Sequence, residues 1–397
     1  TIKGGDVGMA FGFEIRDETY VDDRDPRLDG TIVFTERKTS GQLSTSAGDT
    51  FPYVSDLANS SPTPDSAGSR NVNSIYVEFD VPVVSPEMNI PVVEQFDLQL
   101  AYRQEAYTDF EGTGVPRVAF GWRVNDILKI RGSQQDTFRA PNMITINEGI
   151  VVRNNTRNDA ATIYAAGLGV DTDDSDGRYS VQRQASGSSK LTAEESENTT
   201  VGIVLEPTDN LTITYDVWSI DSTNTIGLFG EENHMLLDLF LRLQSNDLSN
   251  CAGVVTNSAV VRQAPDNPQS FLDAGICPFG LAERVEDNYA NLNDRTLEGT
   301  DLGVYYDLDT WFGKFSFKHQ VSMLTKREQK YGPTLSILDQ AMADGFLPVR
   351  AIDGFGDILA VNGAPKRKAY TSLRFRSGKW ALGINQNARS TVYEDRT

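Results

Sequence analysis

The stretch VAFGWRVNDILKIRGSQQDTFRAPNM, residues 118–143, alternates apolar and polar residues on both sides of Asn125-Asp126. Valine, phenylalanine and tryptophan fall on one side of each segment, whereas arginine, lysine and glycine fall on the other. A period of two is typical of a β-strand with two unlike faces. An Asn-Asp pair between two such segments is typical of a tight hairpin turn. The stretch therefore predicts two antiparallel strands that share one apolar face.

The same alternation recurs about eleven times along the chain of 397 residues. The predicted strands are 7–16, 75–81, 96–103, 117–124, 128–131, 199–206, 211–221, 300–308, 314–325, 368–376 and 379–388. Three residues break the pattern, because Trp218 and Ile220 fall on a polar face and His319 falls on an apolar one.

The predicted connections alternate between tight turns and long segments. Tight turns occur at 125–126, 208–210, 311–313 and 377–379, and long connections cover 20–72, 137–192, 223–296 and 327–366. Compact soluble domains rarely contain several loops of such length, whereas outer-membrane barrels have short periplasmic turns and long extracellular loops. In lipid every backbone polar group needs a partner, which favours strands closed into a ring. We therefore predict an all-β, antiparallel transmembrane β-barrel, with a two-sheet sandwich as the alternative.

Composition excludes several other classes of protein. The net charge of −20 argues against a nucleic-acid partner, and the chain contains no apolar run of about 18 residues that would form a transmembrane helix. With two distant histidines and no nucleophile–base pair or paired-carboxylate motif, an enzyme is not expected. The first residues lack a signal peptide, so we expect that it was removed or that the chain begins inside a longer protein.

Three local features lie in the long connections. Cys251 and Cys277 suit a disulfide in an oxidising compartment, although two free thiols remain the alternative. The apolar segment 235–243 predicts a short helix packed inside a folded loop, with a partner or membrane surface as the alternative. A possible structural Ca²⁺ site in an extracellular loop comprises Asp171, Asp173, Asp174 and Asp176. The EF-hand spacing fails there, so a solvated turn is the competing interpretation.

The run from Tyr102 to Met143 resembles the central barrel of TonB-dependent outer-membrane receptors. The matching pieces are Arg103 with Tyr107, Asp109-Phe110, Pro116-Arg117, Phe120-Gly121-Trp122-Arg123 and Thr137-Phe138-Arg139-Ala140-Pro141-Asn142. Further matches follow in the order of the family, at Glu194-Glu195, Gly202, Pro207, Trp218-x-Ile220, Asn224-x-Ile226, Gly299 and Asp301. The resemblance extends over almost the whole chain.

The resemblance implies a barrel of about 22 strands, of which residues 1–397 supply about eleven. We expect the plug domain and the C-terminal strands to be absent from this chain. The family implies active import across the outer membrane of a Gram-negative bacterium, driven by the TonB–ExbB–ExbD complex, of a ferric siderophore, another iron complex or an oligosaccharide. No cofactor is implied. The alternatives are a passive porin-type channel and a soluble β-rich adhesin or glycan-binding protein.

Two groups of residues are candidate sites. The lumen-facing candidates are Arg103, Arg117, Arg123, Lys129 and Arg131. They form either a solvated wall that pairs with plug carboxylates or a guide for an anionic ligand. The family motif at the strand exit comprises Phe138, Arg139, Ala140 and Pro141. We expect it to shape the exit of the chain into the loop, with ligand contact as the alternative. Tyr102, Trp122, Trp311 and Trp380 lie near strand ends, where aromatic residues meet the membrane interface.

Overall fold

The computed structural model describes residues 2–32, 36–37, 43–44, 61–172, 176–361 and 363–393, with the backbone alone described for 36–37 and 43–44. In this part of the chain, eleven long strands pair side by side in chain order, and every pairing is antiparallel. The strands are β1 (Gly8–Asp22), β2 (Ser66–Val84), β3 (Gln95–Tyr107), β4 (Thr113–Arg123), β5 (Leu128–Arg139), β6 (Glu194–Thr208), β7 (Leu211–Thr223), β8 (Arg295–Thr310), β9 (Gly313–Gln329), β10 (Arg367–Ser377) and β11 (Trp380–Arg389).

The register of the strands places the apolar residues on one continuous face. Phe11 on β1 lies opposite Val77 on β2, and Phe13 lies opposite Ile75. Phe11 and Phe13 are 76% and 79% exposed to the surroundings, so they are not packed between two sheets. We call this side of the sheet the outward face. Its exposed members include Phe11, Phe13, Ile75, Leu100, Val118, Val201, Val217, Leu302, Leu373, Leu382 and Ile384.

The sheet is antiparallel, as predicted, and its two edge strands are not paired with each other. Strands β1 and β11 form its two edges, so the described residues do not close it into a ring. The all-β, antiparallel prediction is confirmed, and the sandwich alternative is wrong because the apolar residues lie on an exposed face. None of the described helices is long enough and apolar enough to span a membrane.

Several strands are longer than their apolar pattern. Strand β2 covers Ser66–Val84 although alternation predicts 75–81, and β6 covers Glu194–Thr208 although it predicts 199–206. The extra residues carry polar side chains on the outward side, such as Asn73 and Glu197. Backbone hydrogen bonds alone continue the ladder there, because pairing requires no apolar side chain. The alternation therefore marks the apolar band, not the full strand.

The tight turns all lie at one end of the sheet. Asn125 between β4 and β5 accepts hydrogen bonds on Oδ1 from the backbone N–H groups of Ile127 and Leu128, at 3.0 and 2.9 Å. Between β10 and β11, Gly378 has a φ of 52°, a left-handed conformation that glycine adopts at low cost. The long connections emerge at the opposite end, as the sequence predicts.

The long connections contain their own secondary structure. The helices are α1 (Met143–Asn147), α2 (Ala160–Gly167), α3 (Glu231–Gln244), α4 (Pro268–Asp273) and α5 (Pro333–Ala343), with 3-10 turns at Pro86–Met88 and Cys251–Gly253. The strands Val151–Asn158, Arg178–Ala185, Ala282–Glu286 and Val260–Arg262 form a second sheet. Short strands pair at Glu36–Arg37 with Leu43–Ser44 and at Ile226–Gly227 with Ala290–Asn291, and Gly356–Asp357 pairs with β9.

Three of these connections, residues 140–193, 224–294 and 330–366, share one apolar core, and we call them the loop unit. Leu236 and Leu239 of α3 pack in the same buried cluster as Leu335 and Leu338 of α5 and Ala161 of α2. The predicted helix at 235–243 lies inside α3 and is buried on this side, which confirms its role in a folded loop. The three connections are therefore tied together, although they leave different strands.

A buried ion cluster and a disulfide add to this core. Arg262 donates to both carboxylate oxygens of Asp159, at 2.6 and 2.9 Å, and to Asp238 at 2.7 Å. Burial alone would raise the pKa of Asp159, but the Arg262 guanidinium holds it well below its usual range. Cys251 and Cys277 form the predicted disulfide, with an S–S distance of 2.05 Å.

Candidate functional site: the concave wall

The residues that alternate with the outward face form the polar side of the sheet, which we call the concave wall. Its side chains meet across an intervening strand, as on the inside of a curved sheet. Arg131 on β5 donates from Nε and Nη2 to Asp216 on β7, at 2.9 and 2.7 Å. Gly202 on β6 lies between them, and a Cβ there would meet Asp216 Oδ1 at 1.9 Å. Glycine thus leaves the space through which this ion pair forms.

The five predicted lumen cations all lie on the concave wall of β3, β4 and β5. They are Arg103, Arg117, Arg123, Lys129 and Arg131. Besides the Arg131 pair, Arg123 Nη1 lies 3.9 Å from Glu206 Oε2. The Nε atom of Arg117 is buried and has no hydrogen-bond partner among the described residues. Ion pairs within the sheet thus engage part of this set, and a role toward a plug or ligand stays a prediction.

Six charged residues on β1, β2 and β3 form a chain of ion pairs. In order of contact they are Glu105, Arg103, Glu14, Arg16, Glu18 and Arg70. Arg16 contacts both Glu14 and Glu18 at 2.7 Å, and Arg70 contacts Glu18 at 2.6 Å. Each arginine in the chain has a carboxylate neighbour, so this part of the wall presents no uncompensated charge.

A groove of about 480 Å³ runs along the wall from β5 to β11. Tyr305 on β8 and Tyr370 on β10 supply aromatic rings to its lining, beside the Gln320 amide of β9. The Gln320 Nε2 atom donates to the Tyr305 hydroxyl at 2.8 Å. Aromatic faces with amide and hydroxyl groups between them offer both stacking and hydrogen bonds to a bound molecule. The groove is therefore the main candidate binding surface on the described wall.

The free charge of this groove is positive. Three cations, Arg131, Lys368 and Arg389, line it together with two carboxylates, so the net charge of the lining is +1. Asp216 is paired with Arg131, whereas Asp301 accepts from the neutral indole Nε1 of Trp218 at 2.9 Å. Lys368 and Arg389 lie opposite each other on β10 and β11 and line the same groove. Within the described residues, neither cation has a carboxylate within 4.0 Å. Coulomb attraction in this groove therefore favours an anionic ligand.

The same cationic character continues toward the tight turns. Arg374 and Arg376 follow on the concave side of β10, and they also have no ion pair with any described residue. Lys318 on β9 lies over the ring of Tyr305, with Nζ 5.7 Å from its centroid. The wall of β9–β11 is therefore a cationic stripe on a chain whose net charge is −20.

The motif at the strand exit lies where β5 enters the loop unit. Phe138 packs edge-on against Tyr107, with ring centroids 6.1 Å apart. Arg139 Nε lies 2.5 Å from a carboxylate oxygen of Glu194 on β6, and the carbonyl oxygen of Pro141 accepts from Arg70 at 2.8 Å. Ala140 links these two contacts along the chain. The geometry holds the exit of the chain in place, and ligand contact by these residues remains a prediction.

The aspartates of the predicted calcium loop are only partly described. Asp173 and Asp174 lie outside the described residues, whereas Asp176 Oδ1 accepts from the backbone N–H of Arg178 at 3.1 Å, as in a turn. Asp171 borders a small cavity beside Asp266. Within the described residues, no three histidine, cysteine or acidic side chains are grouped so that they could hold a metal ion. A Ca²⁺ site here stays a prediction.

Sequence reasoning did not single out the residues that give the groove its charge. Lys368 is the second residue of β10, and Arg389 is the last residue of β11. The alternation of apolar and polar residues is weakest at such strand ends. Asp216 and Asp301 fall on the polar side of their strands by period two, but pairing across strands is not visible in the pattern. The available signal was Gly202, because glycine inside a strand often marks a close approach of neighbouring groups.

Comparison with known proteins gives the fold and the family. Over 97% of its length the chain is similar in structure to a variant of the ferric enterobactin receptor PfeA from Pseudomonas aeruginosa, with a TM-score of 0.53 and 11% identity. A second PfeA variant, in complex with enterobactin, gives a TM-score of 0.52 and 12% identity over 98% of the chain. The siderophore receptor PirA from Acinetobacter baumannii gives 0.50 and 13% over 96%.

In each case the chain spans 39% of the solved structure. No curated protein matches the sequence. The family model "TonB dependent receptor-like, beta-barrel" matches residues 7–397, which is nearly the whole chain. The chain therefore belongs to the TonB-dependent receptor family, within its β-barrel.

Proposed function

We propose that the protein containing this chain is an outer-membrane receptor that imports a scarce anionic nutrient, a ferric siderophore in the first place, with energy from the TonB–ExbB–ExbD complex. The outward face would contact the acyl chains of a Gram-negative outer membrane. The concave wall would surround the passage of the ligand, and the loop unit would lie on the extracellular side. The barrel itself contributes binding and guidance, without covalent chemistry.

The choice of an anionic ligand rests on the unpaired cations of the groove. Lys368 and Arg389 face a groove in which Asp216 is paired with Arg131, and together they exceed the charge of the remaining carboxylate, Asp301, by one unit. Ferric complexes of catecholate or hydroxycarboxylate ligands are commonly anionic, and such a charge is attracted to this wall. A neutral oligosaccharide would gain less from the cations and more from Tyr305 and Tyr370. The structural neighbours named for siderophores and enterobactin agree with the first choice.

The two alternative functions, a passive channel and a soluble adhesin, require other structural features. A passive channel would need an unobstructed bore and no energy source, whereas family membership favours coupling to TonB. A soluble adhesin would need its apolar residues covered by protein or removed from water. Phe11, Phe13 and Ile75 are exposed instead, on a face that extends over neighbouring strands.

Binding and transport by the complete receptor test the proposal. The receptor is expressed in cells with and without functional TonB, and uptake of radiolabelled iron is measured with anionic and neutral ferric siderophores. We expect uptake of an anionic complex only when TonB is functional. Equal uptake in both strains would point to a passive channel, and binding of neutral oligosaccharides alone would overturn the ligand class.

A pair of variants tests the groove directly. The double substitution Lys368→Gln and Arg389→Gln removes both free cations, and we expect about a hundredfold weaker affinity or more for the anionic complex, because each of the two charged contacts contributes roughly 1.5–3 kcal/mol. Lys314→Gln is the matched control, because Lys314 is a cation of the same wall that pairs with Asp309 at 3.7 Å. Equal affinities for the double variant and the control would contradict a role of the groove.

A further inference from the structure

Two parts of the concave wall differ in how their charges are balanced. On β1–β3, each arginine in the chain of six charged residues has a carboxylate neighbour. On β8–β10, between the groove and the tight turns, four cations and two carboxylates line the wall, so the net charge there is +2. They are Lys314, Lys318, Arg374, Arg376, Asp307 and Asp309. Of these two parts of the wall, only the second offers excess positive charge to an anion.

Three of the four cations near the tight turns have no carboxylate partner. Lys314 pairs with Asp309 at 3.7 Å, and Asp307 accepts from the Ser316 hydroxyl at 2.6 Å. We call the other three the exit cations, and they are Lys318, Arg374 and Arg376. No carboxylate of the described residues lies within 4.0 Å of any of them. Their charge is therefore available to a molecule that the sheet itself does not supply.

A buried hydroxyl lies among the exit cations. Ser372 is 4% exposed, and its Oγ has no hydrogen-bond partner among the described residues. It lies opposite Lys318 on β9 and Asn385 on β11. Asn385 Oδ1 accepts from the Tyr370 hydroxyl at 2.9 Å, which leaves its Nδ2 group as a donor. Buried polar atoms without a partner are rare, and a hydroxyl and an amide beside cations suit the oxygens of an anion.

Small residues leave the exit cations accessible from the concave side. On β11 the positions opposite Arg374 and Arg376 are Gly383 and Ala381. A Cβ on Gly383 would meet Arg374 Cγ at 4.0 Å and no other described atom within that distance. Both arginines are exposed. A large anion can therefore approach the two guanidinium groups without displacing another side chain of β11.

The exit cations lie too far from the groove to act as part of it. Arg374 follows Lys368 by six positions on β10, which is about 20 Å along a strand at roughly 3.3 Å per residue. The Debye length is about 8 Å at physiological ionic strength, so attraction by Lys368 and Arg389 is largely screened over that distance. Tyr370 and Gln320 line the wall between the two sets of cations. The wall thus holds two separate groups of cations, one near the long connections and one near the tight turns.

We propose that the exit cations, together with Ser372 and Asn385, form a second binding site for the imported anionic ligand, on the periplasmic half of its path. The ligand leaves Lys368 and Arg389 and is bound next, through its anionic oxygens, by the exit cations. The site rests on the proposed function and adds a route to it, because the ligand then passes along β8–β11 and not along the charge-balanced wall of β1–β3. The second site acts on the rate of transfer, whereas the groove sets the affinity of first binding.

Binding and uptake by the complete receptor separate the two sites. The probe is an anionic ferric tris-catecholate complex that carries radioactive iron. We expect the double substitution Arg374→Gln and Arg376→Gln to lower the maximal uptake rate about tenfold, and to leave equilibrium binding to cells without functional TonB within about twofold. Lys368→Gln with Arg389→Gln should weaken that binding instead. Lys314→Gln is the matched control, because Lys314 already pairs with Asp309, and it should leave both quantities unchanged.

Each remaining outcome contradicts the second site in a different way. An unchanged uptake rate in the variant of the exit cations would show that the ligand does not bind there. A loss of affinity equal to that of the groove variant would make the two groups of cations one site. Entry of a large antibiotic such as vancomycin through the variant would assign the exit cations to holding the plug. Heat-modified mobility on gels shows that each variant is folded.

Failure of this site is distinguishable from failure of the proposed function. If the unmodified receptor shows no TonB-dependent uptake of the anionic complex, the importer proposal itself is contradicted. If the unmodified receptor and the variant of the exit cations take up the complex at the same rate, only the second site is contradicted.

Discussion

The loop unit and the sheet distribute the same residue types in opposite ways. In the loop unit, Leu236 and Leu338 are 1% and 0% exposed and lie in a core. In the sheet, Phe11 and Phe13 point outward and are largely exposed, whereas charged groups such as Arg131 and Asp216 lie on the concave wall. The loop unit buries its charged Arg262–Asp159 pair, but the sheet leaves Arg131 and its partner open to the wall.

Under the proposed function, this inversion corresponds to two different solvents. The loop unit is surrounded by water, so removing apolar area from water stabilises its core. In the membrane location that we propose, an outward residue of the sheet would meet acyl chains, which are as apolar as the protein, and would gain little from being covered. Stability of the sheet would instead depend on backbone hydrogen bonds and on the absence of charge from the apolar band of the outward face. Equivalent substitutions should therefore have different costs in the two regions.

The largest effect is expected at the buried ion cluster. Arg262→Ala leaves Asp159 and Asp238 as uncompensated carboxylates inside the loop unit, and breaking such a buried pair costs about 3–5 kcal/mol. We expect amide hydrogen exchange in residues 140–193 and 224–294 to accelerate strongly while the strands of the sheet stay protected. Arg284→Ala is the control, because Arg284 makes a looser ion pair of 3.6 Å with the exposed Glu286. Equal exchange in both variants would contradict the central place of Arg262.

The apolar core of the loop unit gives the next effect. Leu338→Ala removes a fully buried side chain of α5, and such truncations cost about 2–5 kcal/mol. Ile337→Ala, one residue earlier on the same helix, changes a side chain that is 54% exposed and should cost much less. Protease cleavage rates in the three connections measure the difference. Cleavage confined to 330–366 would show that α5 unfolds alone and that the connections do not share one core.

Much of the sheet can be predicted from sequence because its two faces meet different surroundings. Residues such as Phe11, Phe13 and Ile75 repeat with period two, and tight turns at Asn125 and Gly378 fix the ends of neighbouring strands. The loop unit gives a weaker signal. Its core combines short helices from three connections far apart in sequence, and only the apolar run of α3 stands out beforehand.

The candidate groove is less predictable for a related reason. The alternation places Arg131, Asp216 and Lys368 on the polar side, but the same pattern does not say which charges neutralise one another. That depends on the register of strands joined by long connections, such as β5 with β6 and β9 with β10. The cations at 103–131 are prominent in the sequence, whereas Lys368 and Arg389 become notable only because no carboxylate of the described residues lies within 4.0 Å of either.

The outward face should reject charge in a way that the concave wall does not. Val201→Arg places a cation among acyl chains from a position that is 52% exposed, at a cost of about 2–4 kcal/mol near the middle of the bilayer. Thr200→Arg, the neighbouring residue on β6, points into the wall, where two arginines and two aspartates line the same cavity, and it should cost less than the outward substitution. Denaturant unfolding of the receptor in lipid vesicles measures both. Equal costs would contradict the assignment of the two faces.

The smallest effect is expected where glycine allows an ion pair to cross a strand. Gly202→Ala introduces a Cβ that would lie 1.9 Å from Asp216 Oδ1, so the carboxylate must turn away from Arg131. The pair is partly open to solvent, and its loss should cost about 1 kcal/mol. In the Asp216→Ala background the added methyl group has no carboxylate to displace, and Gly202→Ala should cost less, because the tight contact that remains is with the Tyr215 carbonyl oxygen at 3.0 Å. Unfolding in vesicles measures the coupling between the two substitutions. An equal cost in both backgrounds would instead assign the effect to the backbone of β6.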